Sequence, residues 1–205
     1  MLKLWSLILL AMALPAAAQA QTVTSDVLSC DYPVKASDTA KSLLARYKGA
    51  KIDDVYIADI LVTGVRLFPD EGGREIDVTF SDDQMTHVQF VMTGDSSTWH
   101  GPDRLHFGSP LADVVAANQG QPLTINGFDW DYGGWIEDTH GGPLNSLAGK
   151  GCFFGIQLDI TSQTLGDEAD KISGDNVTVS STDPLVIKAR PVISEMSLTF
   201  AAPKP

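Results

Sequence analysis

The stretch GSPLADVVAANQG, residues 108–120, carries the pattern that decides most about the fold. Ser109 is a residue type that caps helices, and Pro110 suits the first helical position because its missing N–H would have no partner there. Gly120 is the residue type that most often ends a helix. One face of the predicted helix carries Leu111, Val114, Val115 and Asn118. The spacing therefore predicts an amphipathic helix over residues 109–119.

A second stretch, SDTAKSLLARYKG at residues 37–49, follows the same pattern. Ser37 or Asp38 can cap its first turn, and Gly49 can end it. Its apolar face carries Ala40, Leu43, Leu44 and Tyr47. The same offset along the chain aligns Asp38 with Ser109 and Gly49 with Gly120. The two predicted helices, over residues 38–48 and 109–119, therefore indicate an internal duplication.

Strand-like runs follow each predicted helix. After the first helix they cover residues 55–63, 65–68, 74–80 and 86–92, and the middle two flank a turn at residues 69–73, as in a hairpin. After the second helix they cover residues 123–131, 134–138 and 152–161, followed by a loop at residues 162–175 and two or three strands within residues 176–200.

These runs define the predicted fold class. The connections between them are short and leave no room for parallel crossovers, so the sheet is expected to be antiparallel. We predict an α+β protein made of two tandem αβββ-like units that pack as one body. The first unit covers residues 21–106, and the second covers residues 107–205 and includes additional C-terminal strands.

The first twenty residues, MLKLWSLILLAMALPAAAQA, have the pattern of a secretory signal peptide. Lys3 supplies the positive start, an apolar core follows, and Ala18-Gln19-Ala20 is a small-x-small cleavage site. A membrane anchor would need roughly 18 or more apolar residues, and this run is shorter. We therefore predict a periplasmic or secreted protein from which residues 1–20 are removed, with no membrane span after cleavage.

The charge of the chain limits its partners. The 205 residues include 14 Lys and Arg against 26 Asp and Glu, a net charge of −12. Such a protein repels phosphate backbones and anionic lipid headgroups. The composition therefore disfavours nucleic acid and membrane surfaces as partners.

Cys30 and Cys152 are the two cysteines of the chain. An even number of cysteines in an exported protein favours a disulfide, because the compartment is oxidising. Lipid attachment to Cys30 is the alternative, but Cys30 lies well past the predicted cleavage site. We predict a Cys30–Cys152 disulfide, which would stabilise the fold by about 4 to 5 kcal/mol in the chain-entropy account.

Residues 127–135, GFDWDYGGW, form the most unusual segment. If they formed a strand, Phe128, Trp130 and Tyr132 would lie on one face. Asp129 and Asp131 would lie on the other. Such rings could stack a sugar or anchor a protein partner. They could equally form a buried aromatic face beside a solvated acidic face. The candidate binding residues are Asp129, Trp130, Asp131, Tyr132 and Trp135.

Two patterns suggest a metal site, and neither fits well. Asp129, Asp131, Gly134 and Ile136 match four positions of a calcium-binding EF-hand loop, and Glu137 falls at a fifth. Gly133 and His140, however, stand where oxygen ligands are required. His100, Asp103 and His106, with His140, could hold a metal, but their spacing is not one that zinc sites commonly use. The sequence therefore predicts no metal and no cofactor.

Catalysis is the alternative function. Gly94-Asp95-Ser96 resembles the nucleophile block of one esterase family, but no histidine follows His140 to act as its base, so Ser96 is expected to be a turn residue. The enzymatic alternative that the sequence leaves is a periplasmic hydrolase or metal-dependent enzyme. Its active residues would be His100, His106, His140, Asp129 and Asp131.

The order of these motifs resembles a known family. Gly108-Ser109-Pro110-Leu111-Ala112-Asp113-Val114, then Gly120-Gln121-Pro122, then Trp130-Asp131-Tyr132 resemble the tandem repeats of the β-lactamase inhibitor protein family and of the small outer-membrane lipoproteins typified by SmpA and OmlA. Residues 118–135 are also similar to a segment of uncharacterised exported bacterial proteins. The resemblance implies a non-catalytic binding or inhibitor-type protein, whose partner would be an envelope or extracellular protein or a glycan. The inhibitor family has more cysteines than this chain.

Overall fold

The computed structural model describes residues 26–57, 60–94, 96–160 and 165–201. The predicted signal peptide at residues 1–20 lies outside them. Within the described residues no helix is long and apolar enough to cross a membrane.

The described residues form an α+β fold with antiparallel strands, as predicted, and these strands are divided between two sheets. The larger sheet has the strand order β1-β2-β3-β4-β9-β7, and the smaller has the order β6-β5-β8. The strands are β1 (Lys51–Ile57), β2 (Ile60–Leu67), β3 (Ile76–Phe80), β4 (Val88–Thr93), β5 (Thr124–Asn126), β6 (Ile136–Asp138), β7 (Cys152–Asp159), β8 (Thr178–Ser180) and β9 (Val192–Phe200). The α-helices are α1 (Ala40–Arg46), α2 (Leu111–Ala117) and α3 (Pro184–Ala189), and short 3-10 helices cover Pro102–Arg104, Leu144–Ser146 and Gly166–Lys171.

Helix α1 lies where it was predicted, but its cap differs. Thr39 is the N-cap, and it exchanges hydrogen bonds with Ser42 in a capping box. The prediction of Ser37 or Asp38 as the cap was wrong because Asp38 has a stronger partner. Its carboxylate is 2% exposed and accepts hydrogen bonds from the Arg46 guanidinium (2.9 Å) and the Lys35 amide (3.0 Å).

This pairing of the buried Asp38 carboxylate with Arg46 makes stability depend on pH. Burial by itself would raise the pKa of Asp38, but the hydrogen bonds from Arg46, the Lys35 amide and Ser42, together with the positive charge of Arg46, lower it overall. A carboxyl whose pKa is lower in the folded state stabilises the protein above its unfolded pKa, near pH 4, and that stabilisation is lost as the pH falls through the folded value.

We expect Asp38→Asn to lower the free energy of unfolding by about 2 kcal/mol at pH 7, because a hydrogen bond between charged groups is lost. The difference from wild type should shrink as the pH falls below about 4. Urea unfolding between pH 7 and pH 2 measures both effects. Asp54→Asn, at an exposed position of β1, is the matched control. A constant difference across that range would contradict the ionic origin.

Helix α2 also lies where it was predicted, and its cap also differs. The Ser109 hydroxyl accepts a hydrogen bond from the His106 amide (3.0 Å), so Ser109 closes the preceding turn and Pro110 becomes the N-cap. Asn118, predicted to be on the apolar face, is fully buried. Its side chain donates to the Thr139 carbonyl (2.9 Å) and accepts from the Leu144 amide (3.3 Å), and it thereby ties the end of the helix to the following loops.

The strands after α1 form a continuous meander. Strands β2 and β3 pair antiparallel with Val65 opposite Val78, which confirms the predicted hairpin. The prediction of one strand over residues 55–63 was wrong, because the run is divided between β1 and β2, with Ile57 opposite Ile60. No glycine or proline marks this division, so the hydrophobic pattern alone could not locate it.

The strands after α2 are divided between the two sheets. Strands β5 and β6 pair in the small sheet, whereas β7 forms an edge of the large sheet beside β9. The strands that follow the two helices thus have different neighbours. The two units, with their boundary after residue 106, stay a prediction.

The C-terminal segment contains a helix that the sequence analysis missed. Strands β8 and β9 flank α3, where only strands were predicted. Asp183 is the N-cap of α3, its carboxylate accepts from the Leu185 amide (2.7 Å), and Pro184 takes the first helical turn. This Asp-Pro pair is a helix-start signal that could have been recognised. The loop predicted at residues 162–175 likewise contains the 3-10 helix Gly166–Lys171.

The core lies against one face of the large sheet. A row of buried side chains crosses it through register-paired positions: Val65, Val78, Val91, Leu198 and Phe154. Trp99 is fully buried in the same core, and its indole N–H donates to the Arg74 carbonyl (3.0 Å). The predicted disulfide is confirmed: Cys152, the first residue of β7, is bonded to Cys30.

Candidate functional site

The segment at residues 127–135, here called the aromatic loop, lies against the edge strand β7. The Leu158 amide donates to the Gly134 carbonyl (2.9 Å), and the Gln157 side-chain amide donates to the Gly133 carbonyl (2.8 Å). Trp135 forms an antiparallel bridge with Gln157. These backbone contacts and the Gln157 side chain attach the loop to the edge of the sheet.

The predicted strand alternation in this loop was wrong. Strand β5 ends at Asn126, and Asp129 has a positive φ of 60°, which no strand residue adopts. The Gly133 amide donates to the Trp130 carbonyl (2.7 Å), which closes a turn. Gly133 and Gly134, and their hydrogen bonds to the edge strand β7, favour a turn over a strand here. Phe128 is therefore directed into the core and is 2% exposed.

The remaining aromatics of the loop lie at the surface to different extents. Trp130 and Tyr132 pack edge to face, with ring centroids 5.4 Å apart. Tyr132 is 44% exposed, whereas Trp130 and Trp135 are half-buried. The Trp130 indole N–H donates to the Gly127 carbonyl (2.7 Å), so this ring is fixed by the loop itself. Tyr132 is thus the most accessible ring of the predicted set.

The face of the large sheet opposite the core, here called the outer face, meets this loop. Phe90 and Met92 of β4 lie opposite Thr199 and Ser197 of β9. Gly155 of β7 follows in the same row beside Ser197. A Cβ on Gly155 would lie 3.1 Å from the Trp135 ring, so the glycine leaves the space in which that ring packs on the sheet.

A cavity of about 320 Å³, the sheet cavity, opens between the aromatic loop and the outer face. It brings together three residues of the predicted binding set, Asp131, Tyr132 and Trp135. Its walls also include Phe90, Gln157 and Glu195, which the sequence analysis missed. They belong to β4, β7 and β9, which are distant from the aromatic loop or from one another in sequence. The alternation of side chains along each strand is the signal that could have placed them on the outer face.

The other two predicted residues line a neighbouring cavity. Asp129 and Trp130 border a polar cavity of about 270 Å³, here called the acidic cavity, together with Asp159 and Ser194. The Asp129 carboxylate accepts a hydrogen bond from the Ser173 hydroxyl (2.8 Å). Gln157 lines both cavities. The predicted set therefore divides between two adjacent cavities.

Carboxylates dominate the charge of this region. Asp131 and Glu195 line the sheet cavity, and none of its described lining residues is a lysine or arginine. Arg66 lies on the same outer face but is paired with Asp77 (2.8 Å), Glu75 (3.2 Å) and Asp53 (3.3 Å). Its hydrogen bonds to Asp77 raise the pKa of Arg66, which stays a cation bound to its own carboxylates.

The residues of the alternative enzyme are not gathered at one place. His100 and His106 line a third cavity with Asp103, and their ring centroids are 5.8 Å apart. His140 lines none of these three cavities, and its Nε2 lies 2.8 Å from the Thr124 hydroxyl. Within the described ranges no three histidine, cysteine or acidic side chains are grouped to hold a metal.

Ser96, from the motif that resembles an esterase block, is an exposed turn residue with a φ of 60°, as expected of a turn. Asp95 of the same motif lies outside the described residues.

Neither a family model nor a curated protein nor a solved structure matches this chain. The resemblance to the β-lactamase inhibitor protein family therefore stays a prediction.

Proposed function

We propose that this chain is a non-catalytic binding protein of the periplasm or the extracellular space. Its partner is an envelope or extracellular protein that docks on the aromatic loop and the adjoining outer face. The observation that carries this proposal is Tyr132, 44% exposed at the rim of a cavity that Trp135 also lines. The disulfide and the N-terminal sequence pattern support the extracytoplasmic location.

The aromatic surface extends beyond the loop. Phe153 of β7 is 61% exposed, and it shares a register row with Thr199 and Phe90. Exposed rings that continue into a cavity are typical of interaction sites, where tyrosine and tryptophan supply much of the binding energy. The surface from Tyr132 to Phe153 is therefore the part of the outer face best suited to a protein partner.

The loop is also well prepared for binding. Its backbone is hydrogen-bonded to β7 through Gly133 and Gly134, and Trp135 packs over Gly155. A surface that is ordered before binding loses less conformational entropy in the complex. The same contacts would orient the rings for a sugar, so glycan binding is the outcome that the experiment must separate from protein binding.

We expect Tyr132→Ala to weaken partner binding by about 2 kcal/mol, roughly 30-fold, with little change in melting temperature. The partner is isolated from envelope extract by crosslinking to the purified protein, identified, and its affinity for each variant measured by calorimetry. Tyr56→Ala is the matched control, because Tyr56 is 61% exposed and does not line the sheet cavity. It lies opposite Leu61 in the β1–β2 hairpin, and its neighbour Ile57, on the opposite face of the strand, is the residue that lines the cavity.

Equal affinities of wild type and Tyr132→Ala for the isolated partner would overturn the proposal. Loss of capture after glycosidase treatment of the extract, with retention after protease treatment, would assign the site to a glycan instead.

A further inference from the structure

We propose that the sheet cavity binds an organic cation, and specifically an arginine side chain that the partner protein inserts between the aromatic loop and the outer face. This inference rests on the proposed function and names the chemistry that the partner must present.

The walls of the cavity have the composition of a cation site. Phe90, Tyr132 and Trp135 contribute aromatic rings, and Asp131 and Glu195 contribute carboxyl groups. The negative faces of aromatic rings attract ammonium and guanidinium groups, and tryptophan and tyrosine do so most strongly. A cavity of about 320 Å³ is also large enough to hold one long side chain. Rings and carboxylates together favour a cation over a neutral apolar group.

The described residues place no lysine or arginine at this cavity. Arg66 on the same face is bound to Asp77, Glu75 and Asp53. A partner's positive charge would therefore meet the exposed Asp131 carboxylate, which no lysine or arginine among the described lining residues neutralises.

The surroundings strengthen the attraction. The acidic cavity, lined by Asp129 and Asp159, adjoins the sheet cavity at Gln157. The chain as a whole carries a net charge of −12, which speeds the approach of a basic surface. Arginine suits the site better than lysine, because its planar guanidinium can stack on a ring while its fork of N–H groups reaches a carboxylate.

The test uses a pair of probes that differ in charge and not in shape. N-acetyl-arginine amide and N-acetyl-citrulline amide are titrated into the purified protein, and binding is followed by NMR of the tryptophan indole N–H groups. We expect the arginine probe to bind saturably and at least tenfold more tightly than the citrulline probe. Asp131→Asn should lower the affinity for the arginine probe at least threefold. Asp113→Asn, at an exposed position of α2, should leave that affinity unchanged.

Equal binding of the two probes, or an Asp131→Asn variant that binds arginine as wild type does, would overturn the inference. A third titration with choline separates the other source of organic cation: tighter binding of choline than of the arginine probe would overturn the assignment to a partner's arginine.

The outcomes also separate this inference from the proposed function. If Tyr132→Ala abolishes partner binding but the arginine probe does not bind, only the assignment of the cation is wrong. If the arginine probe binds as expected but the isolated partner binds Tyr132→Ala and wild type equally, the proposed docking surface is wrong.

Discussion

Replacing both half-cystines, Cys30→Ser with Cys152→Ser, is expected to lower the free energy of unfolding by about 4 to 5 kcal/mol. The bond joins residues separated by 122 positions, so it removes a large amount of conformational freedom from the unfolded chain. Folded proteins have only about 5 to 15 kcal/mol of stability in total, so a loss of this size leaves the protein marginally stable.

The disulfide also secures the chain near the beginning of the described residues. Cys30 is 4% exposed, and its amide donates to the Ala148 carbonyl (2.9 Å), close to the start of β7. The bond therefore fastens this segment to an edge strand of the large sheet.

Urea unfolding of the oxidised wild type, the wild type in dithiothreitol and the double serine variant measures the effect. The reduced wild type and the variant should unfold at the same, lower urea concentration. A variant as stable as the oxidised protein would show that the bridge does not contribute.

Gly134→Ala is expected to lower the free energy of unfolding by about 3 kcal/mol and to displace the aromatic loop. Gly134 has a φ of 74°, a conformation that other residues adopt at a cost, and an added Cβ would lie 1.8 Å from the Leu158 carbonyl oxygen. Since that contact is with backbone, no side chain can move aside. The loop must separate from β7 and lose the hydrogen bond between Leu158 and Gly134.

Gly141→Ala is the matched control for this variant. Gly141 has nearly the same φ, 79°, but nothing lies within 4 Å of the position of its Cβ. It should therefore lose only the conformational cost, about 1 kcal/mol. Thermal unfolding and the indole NMR signals of Trp130 and Trp135 distinguish the two variants. Equal stability losses and unshifted indole signals in Gly134→Ala would show that the close contact is relieved without moving the loop.

The effect at Gly134 should extend to binding. The loop carries Tyr132 and Trp135, and the sheet cavity exists only while the loop lies on β7. Gly134→Ala should therefore weaken the binding of both the partner and the arginine probe, although residue 134 does not line the sheet cavity. Tyr132→Ala should weaken both with the fold intact.

Local patterns were sufficient to predict several elements. Both helices of the repeated pattern, the β2–β3 hairpin and the long strand β7 lie where periodicity and turn residues placed them. The disulfide followed from the number of cysteines and the predicted compartment. Each of these predictions depends on residues near one another in sequence or on a single pairing that had no competitor.

Predictions that depended on competition between partners were wrong. Asp38 could have capped the helix, but its buried carboxylate instead forms an ion pair with Arg46, eight residues further on. Ser109 could have capped α2, but its hydroxyl accepts a hydrogen bond from the His106 amide instead. The residues themselves contain both options, and only the folded arrangement decides which hydrogen bond forms.

The candidate site divides in the same way. The concentration of aromatic and acidic side chains at residues 127–135 is visible in the sequence alone, because composition is local and needs no fold. Folding of the chain places Phe128 in the core, leaves Tyr132 exposed, and packs Trp135 over Gly155. The physical reason is that the backbone of the loop pairs with the edge of β7 instead of continuing β5, while Phe90 and Glu195 arrive from strands that only the sheet order brings beside it. A cavity formed by strands distant in sequence is set by long-range pairing, which no local pattern of side chains contains.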